Sequence, residues 1–315
     1  MSHTVLELID VSKTYRSNWT FRAMQAVDGL SLAMNEGEVY GLIGHNGAGK
    51  TTTFKLLVGL LRPTRGTLLW DGRPIEWNSR RASIGFSPEQ PYFYDYLTVG
   101  ETLDFYAQLY GMGPSDRRER VKQLVTDFRI DHKLKAPMRT LSKGTLQRVA
   151  VAQAILHRPR LAILDEPMSG LDPGGRKEMR ELIASLKREG TTVLFSSHIL
   201  SDAEALCDRV AILTSGRLRE VVDLDHSEDA QPLSYTMVVT GARGQTLEAL
   251  GRIATQPPVG GPLRWNVRLN DQVAVRAALA ALQGTDAAIE AVLPERPSLE
   301  QRFLRYANGN GAAAD

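Results

Sequence analysis

The strongest constraint on how this chain folds is the stretch VYGLIGHNGAGKTTTFKLLVGLL, residues 39–61. VYGLIG is an apolar run of strand type, and TFKLLVGLL has the apolar spacing of a helix. Between them Gly44, Gly47 and Gly49 fall close together. Glycine weakens any regular element, so three in so short a span argue for a backbone shaped to wrap something. Gly44, Gly49, Lys50 and Thr51 also fit the spacing G-x-x-x-x-G-K-[ST]. At that spacing, successive N–H groups form a nest for phosphate oxygens. The lysine ammonium then sits among the terminal phosphates, and the threonine hydroxyl ligates magnesium.

Two more apolar runs end in chemistry. RLAILDEP reads as a buried parallel strand whose C-terminal end carries Asp165 and Glu166. Asp165 is placed to hold magnesium through water, and Glu166 to orient or deprotonate an attacking water. Acids after a strand also serve as helix caps, so this pair draws its weight from the phosphate loop. TTVLFSSH is the next such strand, and its His198 emerges at the same sheet edge, beside Glu166 and within reach of a γ-phosphate. The stretch LSKGTLQRVAVAQAILHRP puts Ser142 and Gly144 at a helix start, where free N–H groups attract an anion. A serine N-cap with nothing bound explains Ser142 as well. A second anion-seeking helix end nevertheless calls for a phosphate other than the one the loop holds.

Bulk properties narrow the setting. With 315 residues the chain has room for two domains, or for one large domain with an appendage. A net charge of +2 gives no electrostatic reason for a nucleic-acid partner. Cys207 is the sole cysteine, so no internal disulfide forms and a reducing compartment fits. No secretory signal opens the sequence, and no window of about 18 residues is apolar throughout, so a membrane role would need another polypeptide for the crossing.

Along the chain, VLELIDVSKTY, GTLLWDGRPI and ASIGFSP read as further strands, and RVAILTSGRLRE as a closing hairpin. From TVGETLDFYAQLYG to about Pro159 the pattern is helical, and the charge run Asp116 to Arg120 reads as a solvated face. DLDHSEDAQPL is a polar linker. Beyond it SYTMVVTG, LRWNVRL and AAIEAVL read as strands, VAVRAALAALQ and SLEQRFLRYA as helices, and NGNGAAAD as a disordered tail.

These motifs, in this order, resemble the nucleotide-binding subunits of ATP-binding cassette (ABC) transporters over residues 1 to about 222. GHNGAGKTT matches the Walker A loop, LAILDEP the Walker B strand with its catalytic glutamate, LSKGTLQR the signature, SGLDP the D-loop, and His198 the switch histidine. The resemblance implies an α/β fold: a P-loop NTPase (ABC ATPase) core over 1–222 with a helical subdomain at about 91–158. A linker at 223–233, a small C-terminal α+β domain at 234–307 and a tail at 308–315 complete the expected layout. It implies ATP and Mg2+ as ligands, bound by Gly44, His45, Asn46, Gly47, Ala48, Gly49, Lys50, Thr51 and Thr52, with Thr51, Asp165 and Glu89 on the metal and Glu166 and His198 catalytic. It also implies a head-to-tail homodimer, in which Ser142, Lys143, Gly144 and Asp172 meet ATP held by the second copy. Integral membrane permease subunits would anchor the dimer peripherally on the cytoplasmic face of the cell membrane, with no nucleic acid involved.

Three departures from the family pattern stand out. The signature reads LSKGT where LSGGQ is usual, with Lys143 and Thr145 the differing residues. The Q-loop position aligns with Glu89, and Gln90 follows it, leaving two candidates for that role. The adenine-stacking aromatic is expected at Tyr15, with Trp19 and Phe21 as alternatives. Tyr92, Phe93, Tyr94 and Tyr96 lie where the family receives a helix of the permease, although aromatics there also pack inside the helical subdomain. The C-terminal extension is similar to that of cassettes serving ABC-2-type exporters. The competing readings are a soluble cassette ATPase of translation or DNA repair, and a small-molecule kinase. The first usually carries two cassettes or a long coiled-coil insertion, and the second leaves LSKGTLQR and SGLDP unexplained.

Overall fold

The structure is a computed structural model that describes residues 3–16, 23–76, 83–224, 234–261, 263–295 and 298–307. Trp19 and Phe21, most of the expected linker and the expected tail lie outside the described residues. The chain divides into two compact units, Met1–Leu224 and Asp225–Asp315.

The first unit is built on two sheets. An antiparallel sheet has the order β2-β1-β4-β5, from β1 (Thr4–Arg16), β2 (Ala23–Asn35), β4 (Arg65–Trp70) and β5 (Arg73–Pro74). A six-stranded sheet runs β10-β9-β3-β8-β7-β6, from β3 (Val39–Ile43), β6 (Ile84–Ser87), β7 (Leu161–Leu164), β8 (Thr192–Ser197), β9 (Arg209–Thr214) and β10 (Arg217–Asp223). All pairs in it are parallel except the β9–β10 hairpin, which closes one edge. Every residue of β3, β7 and β8 is buried, as expected of strands covered on both faces. Burial of such aliphatic side chains stabilises by about 1.5–3 kcal/mol each. β8 lies between β3 and β7, so the loops after all three open at one edge, where α/β sheets carry their sites.

Helix α1 (Lys50–Leu57) follows β3. Next come α2 (Val99–Leu109), started by a Thr98–Glu101 capping box, and α3 (Pro114–Asp127), which opens on proline. Helices α4 (Lys143–Ala154), α5 (Pro173–Arg188) and α6 (Leu200–Leu206) complete the unit. One expectation needs correction here. Arg120, at the end of the charge run on α3, is buried rather than solvated; its Nε donates to Leu156 O at 3.1 Å and its Nη2 to Ile155 O at 2.9 Å. The guanidinium satisfies carbonyls just past the end of α4, where a cation also suits the helix dipole.

The second unit folds as β-α-β-β-α-β: β11 (Ser234–Thr240), α7 (Gly244–Ile253), β12 (Val259–Gly261), β13 (Arg264–Leu269), α8 (Gln272–Leu282) and β14 (Ala288–Glu295), followed by α9 (Leu299–Ala307). The all-antiparallel order β12-β13-β11-β14 is that of a split βαβ sheet. Tyr235, Met237, Val239, Val267 and Leu269 pack with Leu250, Ala278 and Leu282 of α7 and α8 to form its core. Neither α7 nor β12 is marked by the sequence pattern. α7 has no side-chain N-cap bond, begins at Gly244 with φ 47° and contains Gly251, so the usual start signals are missing.

Candidate functional site

The loop between β3 and α1 owes its shape to its glycines. A Cβ on Gly44 would lie 2.7 Å from both Ala48 Cβ and Leu213 O, so no side chain fits where the loop folds back. Gly49, with φ 105°, is the N-cap of α1, and a Cβ there would lie 2.6 Å from Ala26 O. No side chain caps α1 and no acid sits in its first turn. Its first N–H groups, with the positive end of the helix dipole, therefore face outward as an anion site.

The loop opens onto a cavity of about 540 Å³ lined by His45, Asn46, Gly47, Ala48, Gly49, Lys50, Thr51 and Thr52. Glu89, Glu166, Ser215 and the β2 residues Met24, Gln25 and Ala26 complete the lining. Gly44 sits beneath this wall: its carbonyl accepts a 2.6 Å hydrogen bond from Lys50 Nζ. Of the two Q-loop candidates, Glu89 lines the cavity and Gln90 does not. Tyr15 is not in the lining either; it pairs across the β1–β2 ladder with Met24, which is.

At the ends of β7 and β8 the acids come together with the loop. Lys50 Nζ is 3.1 Å from Glu166 Oε1, with both side chains less than a tenth exposed. Glu166 Oε2 is 2.8 Å from Nδ1 of His198. Asp165 Oδ2 accepts from Thr51 Oγ1 at 2.8 Å, and Oδ1 accepts from Ser196 Oγ at 2.7 Å. Burial pushes the Asp165 carboxyl up and the adjacent Glu166 adds to this, while the Ser196 and Thr51 hydroxyls and the Lys50 ammonium oppose it. Glu166 is one of the few non-glycine residues with positive φ, 49°. Its backbone N–H donates to Ser196 Oγ at 2.8 Å.

Ser142, Lys143, Gly144 and Asp172 do not line this cavity in the same chain. Ser142 caps α4, its Oγ accepting from Thr145 N at 3.3 Å. Asp172 caps α5 through a 3.0 Å bond from Gly175 N. The two stretches meet: the Lys143 side chain lies against Gly170, and a Cβ on Gly144 would sit 3.3 Å from Leu171 Cδ2. Among the four clustered aromatics, Phe93 is buried and packs edge-on to Tyr106 at 6.1 Å. Tyr92 and Tyr96 are 84% and 72% exposed, and Tyr94 touches Phe105 on the same surface.

The arrangement suits phosphate-ester chemistry. Lys50 and the α1 N-terminus are suited to attract a polyphosphate, and Glu166 beside His198 is a carboxylate that can serve as a base. Among the described residues no cluster of three or more His, Cys, Asp or Glu could hold a metal unaided. The Thr51 hydroxyl and the carboxylates of Asp165 and Glu89 are hard oxygen donors, a set that fits magnesium sharing its coordination with phosphates and water. Sequence reasoning missed Ser196 and the lining from β2 and Ser215. These residues carry no motif, and only the strand register and the β1–β2 fold bring them in.

The ABC transporter family model matches residues 27–169. An ABC transporter ATP-binding protein of Synechocystis is 39% identical over 319 residues, which is 98% of this chain and 86% of the relative. That alignment takes in nearly all of the second unit as well. The bacitracin transport ATP-binding protein BcrA of Bacillus licheniformis is 40% identical over 226 residues, 71% of each chain. Among solved structures, cbiO1 of Clostridium perfringens, part of the ABC transporter complex cbiONQ, aligns with TM-score 0.62 and 28% identity over 70% of this chain and 89% of its own. The dimeric bacterial ABC transporter cassette MJ0796 aligns with TM-score 0.65 and 25% identity over 70% of this chain and 100% of its own.

Proposed function

This chain belongs to the ABC transporter ATP-binding proteins, and we propose that it is the ATP-hydrolysing motor of an exporter, working as two copies beneath a separate membrane permease. Membership makes it an ATPase with a P-loop α/β core. The observation that carries the mechanistic reading is the joining of three separately encoded motifs: Glu166 touches both Lys50 of the phosphate loop and His198.

In this reading the loop from Gly44 to Thr52 cradles the β- and γ-phosphates, and the N–H groups of α1 and the Lys50 ammonium neutralise their charge. Thr51, Asp165 and Glu89 would hold Mg2+, which would supply charge neutralisation on the phosphate oxygens. Glu166 accepts the proton of the attacking water, and His198 keeps that carboxylate aimed and reaches the γ-phosphate. Ser142, Lys143, Gly144 and Asp172 act on the nucleotide of the second copy, which accounts for their absence from the lining of their own chain's cavity. The dimeric MJ0796 cassette supports this assembly.

The exposed Tyr92, Tyr94 and Tyr96 with Phe105 form the docking surface for a permease helix, since exposed aromatics are good anchors. Among the described residues no helix is long and apolar enough to cross a membrane, so in this reading the crossing falls to that partner; the similar cbiO1 is likewise one part of a transporter complex. The chain would then sit at the cytoplasmic face through its permease. Residues 1–222 carry the ATPase, with about 91–158 as its helical subdomain, and 234–307 form an accessory domain. Likeness to a bacitracin transport protein and the form of the C-terminal extension support export.

Fractionation tests this. The chain should sediment with membranes and copurify with the integral membrane protein encoded beside it, and become soluble when that gene is deleted. Association with ribosomes or DNA instead would overturn the transport reading.

A further inference from the structure

Ser196 is fully buried on β8. Its hydroxyl donates to Asp165 Oδ1 at 2.7 Å and accepts from Glu166 N at 2.8 Å. The parallel register makes this possible: Leu164 lies opposite Phe195, so the next residue brings Asp165 level with Ser196. One side chain thus serves two neighbouring acids in different ways.

On Asp165 the two oxygens have separate partners, Ser196 on Oδ1 and Thr51 of the phosphate loop on Oδ2. Ser196 ties down the far oxygen and leaves the near one on the loop side. On Glu166 the backbone is left-handed, with φ 49°, a conformation that is unfavourable for a non-glycine residue. Its buried N–H needs an acceptor, and Ser196 provides it. That turn is what carries the Glu166 carboxylate back to Lys50 and His198. The adjacent Ser197 does something else: its hydroxyl donates to Ile199 O at 3.1 Å and accepts from Ile199 N at 2.9 Å, serving only the turn into α6.

We infer that Ser196 is a positioning residue whose single hydroxyl sets both the cation-facing carboxylate of Asp165 and the backbone turn of Glu166. The inference rests on the magnesium–ATP reading of the site given above. A group that orients a metal-binding carboxylate typically changes metal affinity or activity by about 10–100-fold when removed.

The test is titration with a fluorescent ATP analogue, in Mg2+ and in EDTA, of the full chain and its Ser196→Ala, Ser196→Cys and Ser197→Ala variants. In the wild type, magnesium should tighten binding. Ser196→Ala and Ser196→Cys should lose about tenfold or more of that magnesium-dependent gain while binding in EDTA stays within about twofold, and their kcat should fall by about 10–100-fold. Ser197→Ala should behave as wild type. A loss equal in Mg2+ and EDTA, or a Ser196→Cys protein indistinguishable from wild type, would overturn the inference alone. If Ser196→Ala does not fold, Ser196→Cys carries the comparison; failure of both to fold would make the serine structural and overturn it too. Absence of a magnesium effect in the wild type would overturn the magnesium reading itself, and this inference with it.

Discussion

Lys50 Nζ lies 3.1 Å from Glu166 Oε1, and both side chains are almost wholly out of solvent. In the proposed reading, the cation that meets a terminal phosphate is thus held on the residue that activates water against it. His198 Nδ1, 2.8 Å from the other carboxylate oxygen, completes a chain of contacts across the ends of β7 and β8. The side chains proposed for phosphate binding and for the base are therefore in direct contact, so a change in one should perturb the other.

The energetic side of this coupling is open to measurement. Removing one member of a buried ion pair leaves an uncompensated charge and typically destabilises by about 3–5 kcal/mol, whereas replacing both with neutral groups is far milder. Lys50→Met should therefore lower the chemical denaturation midpoint sharply, and Lys50→Met combined with Glu166→Gln should recover much of the loss. A double-mutant cycle by urea unfolding checks it; strictly additive effects would show that the pair is not coupled.

Glu166→Gln keeps the shape of the side chain and removes its basicity. It should bind ATP normally and hydrolyse it about 100- to 10,000-fold more slowly, the range expected for loss of a general base. Phosphate release and equilibrium nucleotide binding, measured side by side, distinguish this from a binding defect. Turnover at the wild-type rate would remove Glu166 as the base.

The placement of Ser142 outside its own chain's cavity leads to a complementation experiment. Lys50→Ala and Ser142→Arg should each abolish turnover as homodimers. In a mixed dimer one composite site keeps both intact halves, so activity should partly return when the two proteins are combined. Mixtures as inactive as either parent would argue against a nucleotide shared between copies.

A fourth expectation concerns pH. The His157 ring stacks on Tyr110 with centroids 3.8 Å apart, and burial, aided by the nearby Arg120 charge, pushes its pKa down from 6.5 to about 4. Between those values the unfolded chain takes up a proton that the folded ring refuses. Stability from this group is therefore complete above about pH 6.5, falls as pH drops and levels off below about 4. His157→Phe keeps the stack without the titration, so the decline in urea midpoint from pH 7 to pH 5 should be shallower than in the wild type. An unchanged slope would show that other groups dominate acid sensitivity.

Much of the site was legible in the sequence because its parts follow consecutive parallel strands. A phosphate loop after β3, acids after β7 and a histidine after β8 must share one sheet edge if the strands are neighbours, whatever the loops between them do. The choice between Glu89 and Gln90 was not legible, because adjacent residues point apart and only the folded loop shows which one faces the cavity. The buried Arg120 escaped notice for a related reason: its acceptors, the carbonyls of Ile155 and Leu156, are remote in sequence. Helix α7 lacked the capping chemistry that marks a helix start, and it is its packing in the core of the second unit that identifies it.

Residue order alone dictates the local geometries: which runs are buried strands, where glycine permits the backbone to wrap, and which helix starts offer free N–H groups. These follow from short-range sterics and periodicity and do not depend on distant residues. The folded chain adds the pairing of groups that are neighbours solely through strand register, above all the Ser196 hydroxyl that links Asp165 to Glu166. Register depends on how whole strands bury their faces against one another, so no local pattern encodes it.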